Sequence, residues 1–286
     1  MRLLFRRVSI VVGCLLGFAV VGYAVIYALS ERILRRTYDV PAVALKLPTD
    51  SDSIREGGRL ATIRGCFGDC HGKEAEGRVL FDHPRIARIV APNLTAAVRR
   101  YTDAQIAVIV RSGVRPDGRS MVVMPAEAFT GMTDADLGRI IAFLKSLPPA
   151  AGPDPDVSVG PLGRLGLVTG KFKTVAELVA TTVPPPAATN PQAELGRYLA
   201  QTVCAECHGA SLRGASNPDF TSPDLRVVAS YSPEAFARLL RTGIALGDRT
   251  LGVMGERARN NLSHLMDSEI AALYSYLHAM PDAARN

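Results

Sequence analysis

Hydrophobic and polar positions fall along this chain in distinct regimes. From Val8 to Ser30 no side chain is charged and almost none is polar, a run long enough to cross a bilayer as a helix. A short polar stretch with Pro41 and Pro48 follows and reads as a stalk. Apolar residues then recur at helical spacing. One helix is expected to begin near Ser53, as its N-cap, and to run through Gly58-Arg59-Leu60-Ala61 to Gly65. Another is expected from Thr133-Asp134-Ala135-Asp136, where a capping threonine and first-turn acids precede Leu137, Ile140, Ile141 and Leu144. Pro148-Pro149 ends it. Residues 150–189 are rich in Pro and Gly, end in Pro184-Pro185-Pro186, and read as an ordered or semi-rigid linker. Their apolar part, residues 159–179, is expected to lie against one of the domains.

The pattern then starts again. Gly58 lies eight residues before Cys66, and Gly196 eight before Cys204. Tyr101 to Arg111-Ser112-Gly113-Val114 matches Tyr231 to Arg241-Thr242-Gly243-Ile244 without a gap, and Phe143-Leu144 matches Tyr276-Leu277. An internal duplication of roughly 100 residues accounts for this. Neither copy shows the alternation of a strand, so the expected fold class is all-α. The expected divisions are 1–36 as a membrane anchor, 37–149 and 190–286 as two domains, and 150–189 as the linker.

Charge changes this picture little. The net +6 is concentrated in residues 1–36, which hold six arginines and one acid; 27 basic and 26 acidic side chains remain beyond them. With no basic stripe on the main body and no aromatic platform, nucleic-acid binding is excluded. Three arginines flank each side of the apolar run, and the α-amino charge tips the short N-terminus towards the cytoplasm. A cleaved signal peptide is the rival reading, with Ala28-Leu29-Ser30 as its cleavage site; the run exceeds the usual signal length, which favours a retained anchor. Cys14 reads as a lipid-facing or packing residue.

The other four cysteines carry the chemistry. Cys204-Ala205-Glu206-Cys207-His208 is the C-x-x-C-H sequence for covalent c-type haem: two thiols reach the vinyl groups on one porphyrin edge, and the adjacent histidine brings its imidazole under the iron. A disulfide or half of a zinc site are the alternatives, and zinc lacks further ligands nearby. Cys66-Phe67-Gly68-Asp69-Cys70-His71 has one extra residue, which Gly68 can absorb in a conformation closed to other residues. Its place in the repeat makes it a second haem site. Whether Cys66 as well as Cys70 forms a thioether stays open. Met124 and Met254 each lie eleven residues after the glycines Gly113 and Gly243, and are read as the second axial ligands. Met121 would instead align with Leu251, and Met132 has no counterpart. His83, His264 and His278 do not recur in register and read as surface or packing residues.

Each copy resembles a class I cytochrome c domain, over nearly all of residues 50–149 and 190–286. In that family a Pro-x-Leu segment follows the haem-binding histidine. The resemblance implies that the carbonyls of Pro92 and Pro223 hold the two imidazoles and that Leu94 and Leu225 pack on the rings. Gly255 departs from the family, which has proline after the methionine. Arg111 and Arg241 stand level between pairing with propionates and ending a solvated helix. Val123-Met124-Pro125 and the helix opening at Thr133 look most like cytochrome subunits of membrane-bound bacterial dehydrogenases. The expectation is therefore two tandem class I cytochrome c domains behind a transmembrane helix of the bacterial inner membrane. Both domains would be periplasmic and carry electrons in a respiratory chain through two covalently bound haem c irons. The expected partners are the membrane and a dehydrogenase, an oxidase or a soluble cytochrome. A dihaem peroxidase is the alternative; it needs an open iron site, against which the two in-register methionines count.

Overall fold

The computed structural model describes residues 1–280 apart from 43, 154–155, 186, 189 and 217–220. Pro186, the linker boundary at 189 and the last residues of the second expected domain, 281–286, thus lie outside the described residues. Helix α1, Arg2–Leu34, contains an apolar stretch that no other part of the chain covers. Its last turns turn inward, with Ser30 buried.

The first half is built on two crossing helices. Asp50 caps α2, Ser51–Ile63, by accepting from the Ser53 amide at 2.8 Å, so the cap is Asp50 and not the expected Ser53. Strands β1, Arg78–His83, and β2, Ala87–Ala91, pair as an antiparallel hairpin. Helices α3, Leu94–Arg100, and α4, Asp103–Ser112, follow, then the short α5, Ala126–Phe129. Helix α6, Asp134–Ser146, opens on Thr133 as its N-cap and buries Leu137, Ile140, Ile141 and Leu144. It packs along α2 at Gly57. A Cβ there would lie 2.0 Å from the Arg139 carbonyl oxygen, so only glycine permits the approach.

Residues 150–189 carry their own structure. Strand β3, Ser158–Val159, adds to β2; helix α7, Pro161–Val168, packs on α1; and helix α8, Val175–Thr181, packs on the first half. The Val175 amide donates to the Met121 carbonyl at 3.1 Å, and the Ala176 amide to the Ser120 hydroxyl at 2.9 Å.

The second half repeats the plan with α9, Pro191–Leu199, and α10, Ala205–His208. Strands β4, Ala215–Ser216, and β5, Thr221–Ser222, pair next, then α11, Pro233–Thr242. Strands β6, Ile244–Ala245, and β7, Arg249–Thr250, precede α12, Val253–Asn260, and α13, Asp267–His278. Helix α9 crosses α13 at Gly196, whose Cβ would lie 2.0 Å from the Ala272 carbonyl oxygen. Gly196 therefore corresponds to Gly57. Gly58, the counterpart expected from sequence spacing, faces the Phe143 ring instead.

The chain is mostly helical, and to the expected all-α class the described residues add the three-stranded sheet β1-β2-β3 and the two-stranded pairs β4-β5 and β6-β7. Strand β1 is exposed along its whole length, so no buried face imposed the alternation by which a strand is recognised.

Candidate functional site

The second cysteine pair sits where α9 runs on through a π-type turn, Ala200–Cys204, directly into α10. Gly209 then leaves the helix at φ 75°. The His208 Nδ1 lies 2.8 Å from the Pro223 carbonyl oxygen. A carbonyl only accepts, so Nδ1 carries the proton and Nε2 keeps its lone pair for a metal. Burial pushes the His208 pKa down, opposed by this hydrogen bond, which favours the neutral imidazole that a ligand must be. Burial pushes the Cys204 thiol up to about 12.

The first pair reaches the same end by another path. Gly65 breaks α2 in the left-handed conformation, φ 72°. Phe67 is extended, and Gly68 takes φ 78°, ψ −52°, a tight turn disfavoured for any side chain. The extra residue is thereby looped out, with Phe67 edge-on to Phe143 at 5.6 Å between ring centres. His71 emerges with its Nδ1 2.8 Å from the Pro92 carbonyl oxygen and its pKa lowered by burial. Burial also raises the Cys66 thiol, to about 11. No disulfide joins either pair.

Further correspondences were invisible in the sequence. Ala75 and Leu212, both fully buried, adopt φ 61° and φ 60°. Their carbonyls accept from the amides of Leu94 and Leu225 at 2.8 and 3.0 Å. A left-handed conformation in a residue with a Cβ costs about 1–2 kcal/mol, so each is held by its surroundings. No residue type at these positions would have signalled it.

The methionine loops keep the expected register. The Met121 amide donates to the Gly113 carbonyl, and the Leu251 amide to that of Gly243, which sets Met124 opposite Met254. Met254 begins α12 and lines a cavity of about 720 Å³ together with Cys204, Cys207, His208 and Leu225. The remaining wall is mostly apolar, including Val228, Phe236 and Leu239. Size, apolar lining and donor set fit haem: the volume falls in the range of about 300–1,000 Å³ for buried ligands, and the lining offers both an imidazole nitrogen and a thioether. Met124, like Cys66, Phe67 and Leu94, is partly buried against the hydrophobic core. His83, His264 and His278 are all exposed, and neither His264 nor His278 lines the cavity.

Arg111 and Arg241 both bind groups of the protein. Arg111 donates to the Met132 carbonyl and pairs with Asp134 at 2.7 Å; Arg241 donates to the Ser263 carbonyl and pairs with Asp267 at 2.6 Å. Each ties the end of one helix to the start of the terminal helix.

The two cysteine motifs meet where the halves pack. The buried Arg64 guanidinium donates to Asp136 and to the Tyr198 hydroxyl, both at 3.1 Å, and Tyr198 donates to Asp136 at 2.6 Å. Arg59 forks onto Glu269 at 2.7 and 2.8 Å, and the Asn261 amide donates to the Thr62 carbonyl at 2.8 Å. Arg257, just past Met254, pairs at 2.6 Å with Glu206 from between Cys204 and Cys207. The same guanidinium covers Gly65, the residue before Cys66. Arg257 and Glu206 are close enough to act on the Cys66 charge. None of these interface residues was legible in advance, because charged residues at helical spacing look like a solvated face.

Residues 193–281 match the family model described as Cytochrome c. The chain is 25% identical over 262 residues to the "Fructose dehydrogenase cytochrome subunit" of Gluconobacter japonicus, covering 82% of this chain and 54% of that protein. It is 26% identical over 276 residues to the "Alcohol dehydrogenase (quinone), cytochrome c subunit" of Gluconacetobacter polyoxogenes, covering 84% and 58%. The chain thus spans somewhat more than half the length of these relatives. Both are named as cytochrome subunits of dehydrogenases.

Proposed function

We propose that this chain is a membrane-anchored electron carrier holding two c-type haems, and that it works as the cytochrome subunit of a dehydrogenase complex. The observation that carries the reading is the repeated histidine geometry. Two Cys…Cys-His sequences, one of them irregular, each place Nδ1 2.8 Å from a proline carbonyl. A structural cysteine pair has no need of such a contact.

Haem, when bound, supplies a one-electron redox centre. Cys204 and Cys207 would hold it covalently in the second half, and Cys66 and Cys70 in the first. Pro92 and Pro223 orient the imidazoles and raise their basicity as ligands. Met124 and Met254 would be the second protein ligand to each iron, a thioether that favours the reduced state. Two protein ligands to each iron would suit electron carriage and not bond chemistry. The apolar walls around His208 and Met254 exclude water. At the interface, Arg257 and Glu206 join the two motifs in one rigid contact. The relatives support a dehydrogenase as electron donor, and α1 supports anchorage in the bacterial inner membrane with both halves in the periplasm.

Mass spectrometry of the acid-acetone-extracted chain tests this reading. It should retain two haem masses. Retention of one confines the reading to the second half, and retention of none overturns it. Purification from detergent-solubilised membranes should bring a dehydrogenase subunit with the chain.

A further inference from the structure

The outer end of α1 is built into the rest of the molecule by a single arginine. Arg164 on α7 donates to the Ser30 hydroxyl and pairs with Glu31, both at 2.9 Å, while its guanidinium lies over the Tyr27 ring at 4.0 Å. These three residues mark the end of the apolar run. At 1.5 Å per residue, the stretch from Val8 to Tyr27 spans about 29 Å, the thickness of a hydrocarbon core. Arg164 is therefore pinned at the level where α1 leaves the bilayer, and α7 with it.

Around that arginine the surface is apolar. Leu162 is 53% exposed and Leu165 40%, on the same short helix. Ile86, 41% exposed, comes from the tip of the β1–β2 hairpin, which is fastened to α7 by Leu162 donating to Arg85 and Gly160 donating to Ile86, both at 2.8 Å. Exposed Lys171 and Lys173 follow α7. Apolar side chains at this level with lysines beside them suit the boundary between acyl chains and headgroups. We propose that α7 and the hairpin tip form an interfacial collar that seats in the outer leaflet beside α1 and fixes how the first half stands on the membrane. The occupant of this surface is lipid, because the patch is continuous with the lipid-facing end of α1. The inference rests on α1 being a membrane anchor.

The test uses the full haem-loaded chain with Cys14→Ser, carrying one added cysteine, in phosphatidylethanolamine–phosphatidylglycerol vesicles. Alkylation by a water-soluble maleimide is followed by mass. Leu165→Cys should react at least tenfold more slowly than Leu195→Cys, an exposed position in the second half, and Val20→Cys on α1 should be protected as well. If Val20→Cys is protected and Leu165→Cys reacts as fast as Leu195→Cys, the collar is wrong and the anchor stands. If Val20→Cys also reacts fast, the anchor reading itself fails. Protection of Leu165→Cys that disappears as chain is diluted against lipid would mean a second copy covers the patch, which also overturns the proposal.

Discussion

The two halves of this molecule solve one geometric problem with different local structures. In the second, α9 passes through a π-type turn straight into the cysteine motif. In the first, α2 stops at Gly65, and an extra residue is looped out at Gly68. Both nonetheless deliver a histidine to a proline carbonyl at 2.8 Å. What is common to the halves is the distant framework: the crossing glycines Gly57 and Gly196, the left-handed Gly113 and Gly243, the left-handed Ala75 and Leu212. The motif's internal spacing is therefore negotiable, while the positions of the histidine and its carbonyl partner are not. Arg64 is the other contrast. It lies seven residues after Gly57, where the second half, counted from Gly196, has the buried Val203. The first half has given up an apolar core position to grip the second.

The largest expected effect falls on the two methionines proposed as iron ligands, where the halves should behave alike. Met124→Ala and Met254→Ala should each remove about half of the weak sulfur-to-iron band near the red limit of the ferric visible spectrum, and each lower one potential. If Met121→Ala has the effect and Met124→Ala does not, the correspondence of the halves fails at the metal. Rapid cyanide binding to one iron of the unmodified chain would favour a peroxidase.

Next comes the position where the halves differ most. Arg64→Val makes the first half resemble the second and leaves Asp136 buried without its partner. Removing one member of a buried pair costs about 3–5 kcal/mol. Asp136 keeps Tyr198 and Arg139, so a loss near 3 kcal/mol is expected in urea unfolding. A loss under about 1 kcal/mol would show that the grip is ornamental.

At the crossings the halves should again agree. Gly57→Ala and Gly196→Ala each drive a Cβ into a carbonyl oxygen, and overpacking of this kind costs about 1–3 kcal/mol. Two unequal values would mean that one crossing relaxes more easily than the other. Gly68→Ala strains only the first half, by about 1–3 kcal/mol, and its effect should be smaller because the loop is open to solvent there. Thermal unfolding of the reduced chain gives both comparisons.

The smallest effect is a pH dependence at Glu56, which has no titrating counterpart in the second half. The Arg59 guanidinium holds the Glu56 carboxyl below its ordinary value of 4.5. A depressed folded pKa stabilises above that value, and the contribution is lost as pH falls through the lower folded one. Denaturation midpoints should therefore drop on acidification below pH 4.5, and Glu56→Gln should flatten part of that slope. Glu56 is a third exposed, so the change will be modest. The matching position in the second half, counted from the crossing glycines, is Leu195, which titrates nothing.

The sequence by itself determined the cysteine-histidine motifs, the apolar N-terminal run, the terminal helix opening at Thr133, and the register of Met124 with Met254. These are local: spacing along the chain, a cap, a period of 3.6, or a repeat read against itself. Tertiary structure alone decided that Gly57 and not Gly58 matches Gly196, because which glycine faces a carbonyl depends on how one helix lies on another. It decided that Arg111 and Arg241 hold helix ends, and that residues 78–91 form a hairpin whose first strand has no buried face to announce it. It also decided that Arg59, Arg64 and Arg257 are buried at an interface and not spread over a solvated face. A charge carries no mark of its partner; only the packing of one half on the other supplied Glu269, Tyr198 and Gly65.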